Sequence, residues 1–224
     1  DAAGCPNCSG RIEFSPGSWE CTACDLARPE PAVTVADGSI VLPHTVVSVA
    51  LSLPGRVNRV NAAFALAGAT ALGADPDRAA DAIGAVEEVA GRYRIANIDG
   101  HPVRLLLAKN PAGWHEALDM LRPAPAPVVV AINARIADGH DPSWLWDVDY
   151  ERLGDRVVVA TGERRHDLAV RLSYAGVGHT VADDVSDAVR AAVSAPGHEP
   201  GSVVDVAANY TAFQEYLELV GGPR

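Results

Sequence analysis

The chain has 224 residues, 48% hydrophobic and 21% charged, enough apolar mass for a full core in one large or two small domains. Its formal charge of −11 disfavours nucleic-acid backbones and anionic membrane surfaces as main partners, because both select basic faces. No apolar run reaches the roughly 18 to 20 residues that span a bilayer and no charged-then-apolar leader opens the chain, so a cytoplasmic protein without a transmembrane segment is expected.

The chain starts at Asp1, and its single methionine is Met120, which reads as a fragment lacking a natural N-terminal portion. The first element is "CPNC" (Cys5, Cys8) followed after twelve residues by "CTAC" (Cys21, Cys24). Two C-x-x-C pairs at that spacing make a zinc ribbon: each supplies two thiolates, and the intervening residues suffice for a hairpin closing a tetrahedral, structural Zn2+ site. Disulfides are the rival reading, although nothing else points to an oxidising compartment. Only Arg11 and Arg28 are basic nearby, so the ribbon is read as a folding staple or docking knob.

Next, "PAVTVADGSIVL" holds two β-prone runs around the turn pair Asp37-Gly38, and "HTVVSVALSL" adds a strand. A 3.6-residue apolar period from about Val57 to Leu72 predicts a helix. A second helix is expected in "DPDRAADAIGAVEEVAG", with Asp75 as N-cap, Pro76 at the first position and Gly91 as the stop. From Gly91 the runs "VRLLLAK", "PVVVAIN", "RVVVATG", "HTV" and "SVVDVAA" alternate with helical stretches at 113–121, 163–175, 184–194 and 210–220. Continuous apolar strands alternating with helices predict a doubly wound, mostly parallel sheet. In such a sheet the ligand crevice lies at the carboxyl ends of the strands. Three marked stretches fall there: "AKNPAGW", "INARIADGHDPSW" and "VVVATGERRHD".

Taken in order, the cysteine pairs, "LPGRVNRVNAAFALAGATALG", "GRYRI", "LLLAKNPAGW", "INARIADGHDPSWLWDVDYE" and "NYTAF" resemble the MurT family, the Mur-ligase-like subunit of lipid II isoglutaminyl synthase. The resemblance implies an α/β fold in three parts. These are a zinc ribbon (1–30), the remnant of a Mur-ligase central ATP-binding domain (31–90) and a Rossmann-like C-terminal domain (91–224). It also implies ATP-dependent amidation of the α-carboxylate of D-glutamate in the peptidoglycan stem peptide, through an acyl phosphate. The ammonia would come from a GatD-type glutamine amidotransferase subunit. ATP with Mg2+ and lipid II would be the small-molecule partners, met at the inner face of the membrane. No G-x-x-x-x-G-K-[ST] loop occurs, so this stretch alone is expected not to turn over ATP.

Asn58 and Asn61 fall in "G-x-x-N-x-x-N", three residues apart and near one helix face, where an amide can match the edge of adenine. Helix capping is the plainer role for Asn58. Arg92, in "GRY", is either a phosphate ligand between domains or a solvated arginine. Lys109, the only lysine, ends a buried strand and either offers a compact charge to the acyl phosphate or substrate carboxylate, or snorkels into solvent.

In 136–151, one or both of Trp144 and Trp146 belong to a core. Asp147, Asp149 and Glu151 read as a solvated face, and Asp138-Gly139 as a turn in which Asp138 caps. Asp141 is held extended by Pro142. By resemblance its carboxylate faces the partner's active site, where a Cys-His pair needs an acid to orient the imidazole. His140 stands where the family usually carries arginine. The other histidines form no H-x-x-x-H pair and receive no role. Two further readings compete. One is a non-catalytic docking module; the other, a dinucleotide-binding oxidoreductase, lacks any G-x-G-x-x-G after a strand.

Overall fold

The structure is a computed structural model describing residues 4–89 and 91–221; Ala90, where the second and third parts divide in the sequence reading, lies outside them. Strands β1 (Ile12–Ser15) and β2 (Ser18–Cys21) form the antiparallel hairpin between the cysteine pairs. Then β3 (Thr34–Ala36), β4 (Ser39–Leu42) and β5 (Thr45–Ser48) make a three-stranded antiparallel meander. Its first turn is Asp37-Gly38, with Gly38 at φ 70°. Helices α1 (Arg56–Ala71) and α2 (Pro76–Gly84) close a small core with this sheet, burying Ile40, Leu42, Val47, Ala62, Leu66 and Ala80.

Asp75 caps α2 as expected, accepting from the Arg78 N–H at 2.9 Å, but the helix does not run to Gly91. It stops at Gly84, where it meets the segment leaving β5. A Cβ on Gly84 would lie 2.6 Å from the Ala50 carbonyl oxygen, and the Ser52 hydroxyl donates to the Gly84 carbonyl at 3.0 Å. A tertiary contact thus takes one of the helix's last carbonyls and ends it early.

The large sheet has six strands. Two come from a hairpin, β6 (Tyr93–Ile98) and β7 (His101–Leu107), turning through Asp99 and Gly100 at φ 51° and 85°. Positive φ at both central residues suits an Asp-Gly turn. The remainder are β8 (Val128–Ala131), β9 (Val158–Thr161), β10 (His179–Val181) and β11 (Val204–Ala208). Their order is β10-β9-β8-β11-β7-β6, parallel throughout except for β6 at the edge. β6 is a strand that the apolar-run pattern does not announce, because Arg94 and Asn97 interrupt its apolar residues and Ile95 stays exposed at the sheet edge.

Alternation of side chains across the sheet divides the core in two. Val128, Val130 and Ile132 face one way with Trp114, Leu118, Leu168 and Leu172, from helices α3 (Pro111–Met120) and α4 (Arg165–Tyr174). Val129 and Ala131 face the other way with Val189, Ala192, Phe213 and Tyr216, from α5 (Val185–Ser194) and α6 (Tyr210–Leu219). Helices on both faces make the expected doubly wound arrangement. The late strand β11 is inserted between β7 and β8, so the exits of these three strands are neighbours on one edge. Among the described residues no helix is long and apolar enough to cross a membrane.

Candidate functional site

At the carboxyl edge, the exits of β8 and β11 are tied by a pair of asparagines. Asn133 donates its N–H to Asn209 Oδ1 at 3.0 Å, and Asn209 Nδ2 returns a bond to the Asn133 carbonyl at 2.7 Å. Asn133 Oδ1 also accepts from the Glu163 N–H at 2.9 Å, tying in the exit of β9. Both asparagines are 2% exposed. Buried polar groups so paired rigidify the edge from which the functional loops spring.

The loop after β8 then folds back on itself. Asp138 accepts the Arg135 N–H at 3.3 Å and, from the start of α6, the Thr211 N–H at 3.0 Å and the Thr211 hydroxyl. Asp138 therefore caps as the sequence suggests, although the helix is a distant one. Arg135 Nε donates to Glu163 at 2.8 Å and its terminal nitrogen to Glu215. Bonded by Arg135, the Glu163 carboxyl titrates below the usual carboxylate range, while Glu163 and Glu215 together raise the guanidinium. The His140 ring nitrogen Nδ1 lies 3.0 Å from the Ala134 carbonyl. Asp141 is exposed, its carboxylate accepting the Ser143 N–H at 2.8 Å.

Behind this loop the aromatics anchor it. Trp144, on the 3₁₀ turn Ser143–Asp147, stacks on Trp114 of α3 with centroids 6.0 Å apart and planes at 23°. Trp146 stays 54% exposed, edge-on to Tyr174. Asp147 and Asp149 are solvated, whereas Glu151 makes two bonds of 2.9 Å to Arg171, a buried arginine that also donates to the Val148 carbonyl. Those bonds hold the Glu151 carboxyl down at about 2.

Lys109, at the exit of β7, is exposed, with its ammonium 4.1 Å above the Tyr210 ring. It lines a small hollow with Asp138, Trp144, Asn209 and Tyr210, so it shares an edge with the Asp141 loop.

A second set of predicted residues gathers elsewhere. Asn58 and Asn61 of α1 and Arg92 line one cleft between the small meander unit and the large sheet, with Tyr93, Leu107 and Met120. The cleft holds about 530 Å³, counting solvent at its mouth. Asn58 is not the helix cap: Gly55 holds that position, and Asn58 Nδ2 donates to the Pro54 carbonyl at 2.6 Å. Arg56 pairs with Glu116 of α3 across the same junction.

The four cysteine sulfurs lie within 4.8 Å of one another, with Cys5 to Cys24 at 3.6 Å and Cys8 to Cys21 at 3.5 Å. A tetrahedron with metal–sulfur bonds of about 2.3 Å has edges of roughly 3.8 Å, so the set fits a Zn2+-sized ion. Backbone N–H groups of Gly10 and Ala23 donate to Cys8 and Cys21, each at 3.4 Å, which suits thiolates.

Arg135, Glu163, Thr211 and Glu215 were not singled out in sequence. The marked stretches "INARIADGHDPSW", "VVVATGERRHD" and "NYTAF" contain the first three, but nothing in them says that these side chains meet.

Among solved structures the chain is similar to UDP-N-acetylmuramate-alanine ligase MurC from Thermotoga maritima, with a TM-score of 0.50, 16% identity, and coverage of 81% of this chain and 43% of that one. It is equally similar to a folylpolyglutamate synthase from Thermotoga maritima, with a TM-score of 0.50, 17% identity, and coverage of 82% and 41%. The fold is therefore of the Mur-ligase-like α/β class. Residues 107–213 match the family model described as MurT ligase C-terminal. The lipid II isoglutaminyl synthase (glutamine-hydrolyzing) subunit MurT of Streptococcus pneumoniae is 28% identical over 233 residues, covering 96% of this chain and 52% of that protein. Its namesake from Staphylococcus aureus is 24% identical over 189 residues, covering 77% and 43%. The chain is thus similar to MurT subunits over most of its length, and residues 107–213 carry the match to their C-terminal part. It spans about half the length of these curated relatives.

Proposed function

We propose that the chain acts within a lipid II isoglutaminyl synthase, in which ATP activates the α-carboxylate of D-glutamate in the stem peptide and ammonia displaces phosphate to give D-isoglutamine. The ammonia comes from glutamine hydrolysed by a GatD-type partner, and the work is done at the inner face of the membrane. Residues 1–30 form the ribbon, 31–90 part of the central ATP-binding domain, and 91–224 the C-terminal domain.

The observation that carries this reading is the cleft in which Asn58, Asn61 and Arg92, from separate segments, come together. An amide there can pair with the donor and acceptor edge of adenine, and the arginine can meet a phosphate. Lys109 supplies positive charge where an acyl phosphate or substrate carboxylate would sit, and its exposure leaves it free to reach one. ATP would be bound together with Mg2+. The ribbon cysteines would hold Zn2+, which with four thiolate ligands staples the fold and has no position open for chemistry.

Asp141 serves the partner. Exposed on a braced loop, its carboxylate accepts a hydrogen bond from the imidazole of the glutaminase Cys-His pair, fixes the tautomer and stabilises the cation. In the full-length subunit assembled with its partner, Asp141→Asn should leave folding and association intact. Glutamine-dependent amidation should fall by roughly 10⁴, the scale of losing a triad carboxylate. Free ammonia should restore product. Equal loss with both nitrogen donors would place Asp141 in the ligase chemistry and refute the assignment.

A further inference from the structure

The loop that carries Asp141 is held from two sides by groups outside it. Asp138 places both carboxylate oxygens on Thr211, one on the N–H at 3.0 Å and one on the hydroxyl. That N–H is among the first amides of α6, which have no partner within the helix. Asn209, the residue in the capping position, makes no cap bond because its side chain is committed to Asn133. A carboxylate from another loop therefore caps α6 and is favoured there by the helix dipole.

On the other side, Arg135 bridges Glu163, just after β9, and Glu215, on α6. These three side chains are 48%, 47% and 34% exposed, and pairs so exposed contribute little stability. What two carboxylates on one planar guanidinium do supply is direction. Gly139, at φ 83°, then turns the chain so that Asp141 projects from the braced segment.

We infer that Arg135 and Asp138 are positioning residues for the amidation, setting the reach and angle at which Asp141 meets the partner's histidine. The inference rests on the reading of Asp141 given above. A displacement of about 1 Å in such a group can cost on the order of a hundredfold in rate.

The test uses the full-length subunit assembled with its glutaminase partner, with glutamine- and ammonia-supported amidation measured side by side. Arg135→Gln is expected to lower kcat with glutamine by about ten- to a hundredfold, with the KM for glutamine and the ammonia-supported rate unchanged. Arg135→Lys should recover part of the loss, since an ammonium can hold one carboxylate well but not two in a fixed plane. Asp138→Ala should lower the ratio of glutamine- to ammonia-supported rates. Asp138→Asn should restore part of it, because the amide can accept from the Thr211 N–H and donate to its hydroxyl but cannot accept the Arg135 N–H with the nitrogen that replaces Oδ2. If Asp138→Ala does not assemble, the Arg135 pair decides alone. A wild-type ratio in Arg135→Gln, beside a collapsed ratio in Asp141→Asn, would overturn the positioning role and leave Asp141 standing. Equal loss with both donors in Arg135→Gln would mean that the brace merely holds the fold. An unchanged ratio in Asp141→Asn would overturn both readings.

Discussion

Gly162 follows β9 at φ 92°, beside the strand whose exit carries the Asp141 loop. A Cβ built on it would lie 2.5 Å from the Ile132 carbonyl oxygen and 2.9 Å from both the Ile132 carbonyl carbon and Asn133 Oδ1. Neither neighbour can give way cheaply. The Ile132 carbonyl accepts the Arg164 N–H at 2.9 Å, and Asn133 Oδ1 accepts the Glu163 N–H at 2.9 Å. For Gly162→Ala the left-handed conformation costs about 1 to 3 kcal/mol, and forcing a methyl against fixed backbone costs about 1 to 3 more. Together they give a loss of about 2 to 6 kcal/mol, which corresponds to a Tm lower by roughly 4 to 24 °C for a protein of this size. Gly176 is the control: its φ is 69°, but nothing lies within 4 Å of its Cβ position, so Gly176→Ala carries only the conformational cost. Thermal unfolding followed by fluorescence reads the large domain, where Trp114 and Trp144 are stacked. If the two variants lost the same stability, the close approach at Ile132 would not be the constraint described.

Metal analysis of the chain should find one zinc, and Cys21→Ser should lose it while the C-terminal sheet keeps its melting transition; zinc-free protein prepared without chelators would refute this. In the full-length subunit, Asn61→Ala and Arg92→Ala should each raise the KM for ATP about tenfold or more, the scale of a lost charge-assisted or amide bond. An unchanged KM would move the nucleotide out of the cleft. Glu151 has its folded-state pKa lowered from 4.5 to about 2 by Arg171, so its contribution is complete above pH 4.5 and is lost as pH falls towards 2. Because Glu151 is 52% exposed, that contribution is about 1 kcal/mol after solvent screening. Glu151→Gln should flatten acid unfolding by that amount between those values, and an acid limb identical to wild type would show the pair to be inert.

Some of the candidate site is legible because it is local in sequence. The two C-x-x-C pairs carry their own spacing rule, and the sulfurs do converge. Asp138 and Asp141 lie in a turn that Gly139 and Pro142 announce. The brace was not legible. Arg135 is 28 residues from Glu163 and 80 from Glu215, and no local pattern couples positions so far apart. The end of α2 is hidden for the same reason, since Gly91 carries the local signature of a stop while Gly84 is placed against Ala50 from another part of the chain.

Binary patterning determined that the large domain is an α/β sheet with helices on both faces. Strands such as β8 are apolar at every position, and a strand can be so only when both of its sides are covered. Their position in the sheet is a matter of tertiary structure. Nothing local in "SVVDVAA" says that β11 inserts between β7 and β8, yet this brings Asn209 to Asn133 and the start of α6 to Asp138. Side-chain period follows from covalent geometry and can be read along the chain. Strand order follows from which packed arrangement buries the whole apolar surface at once, and only the folded chain settles that.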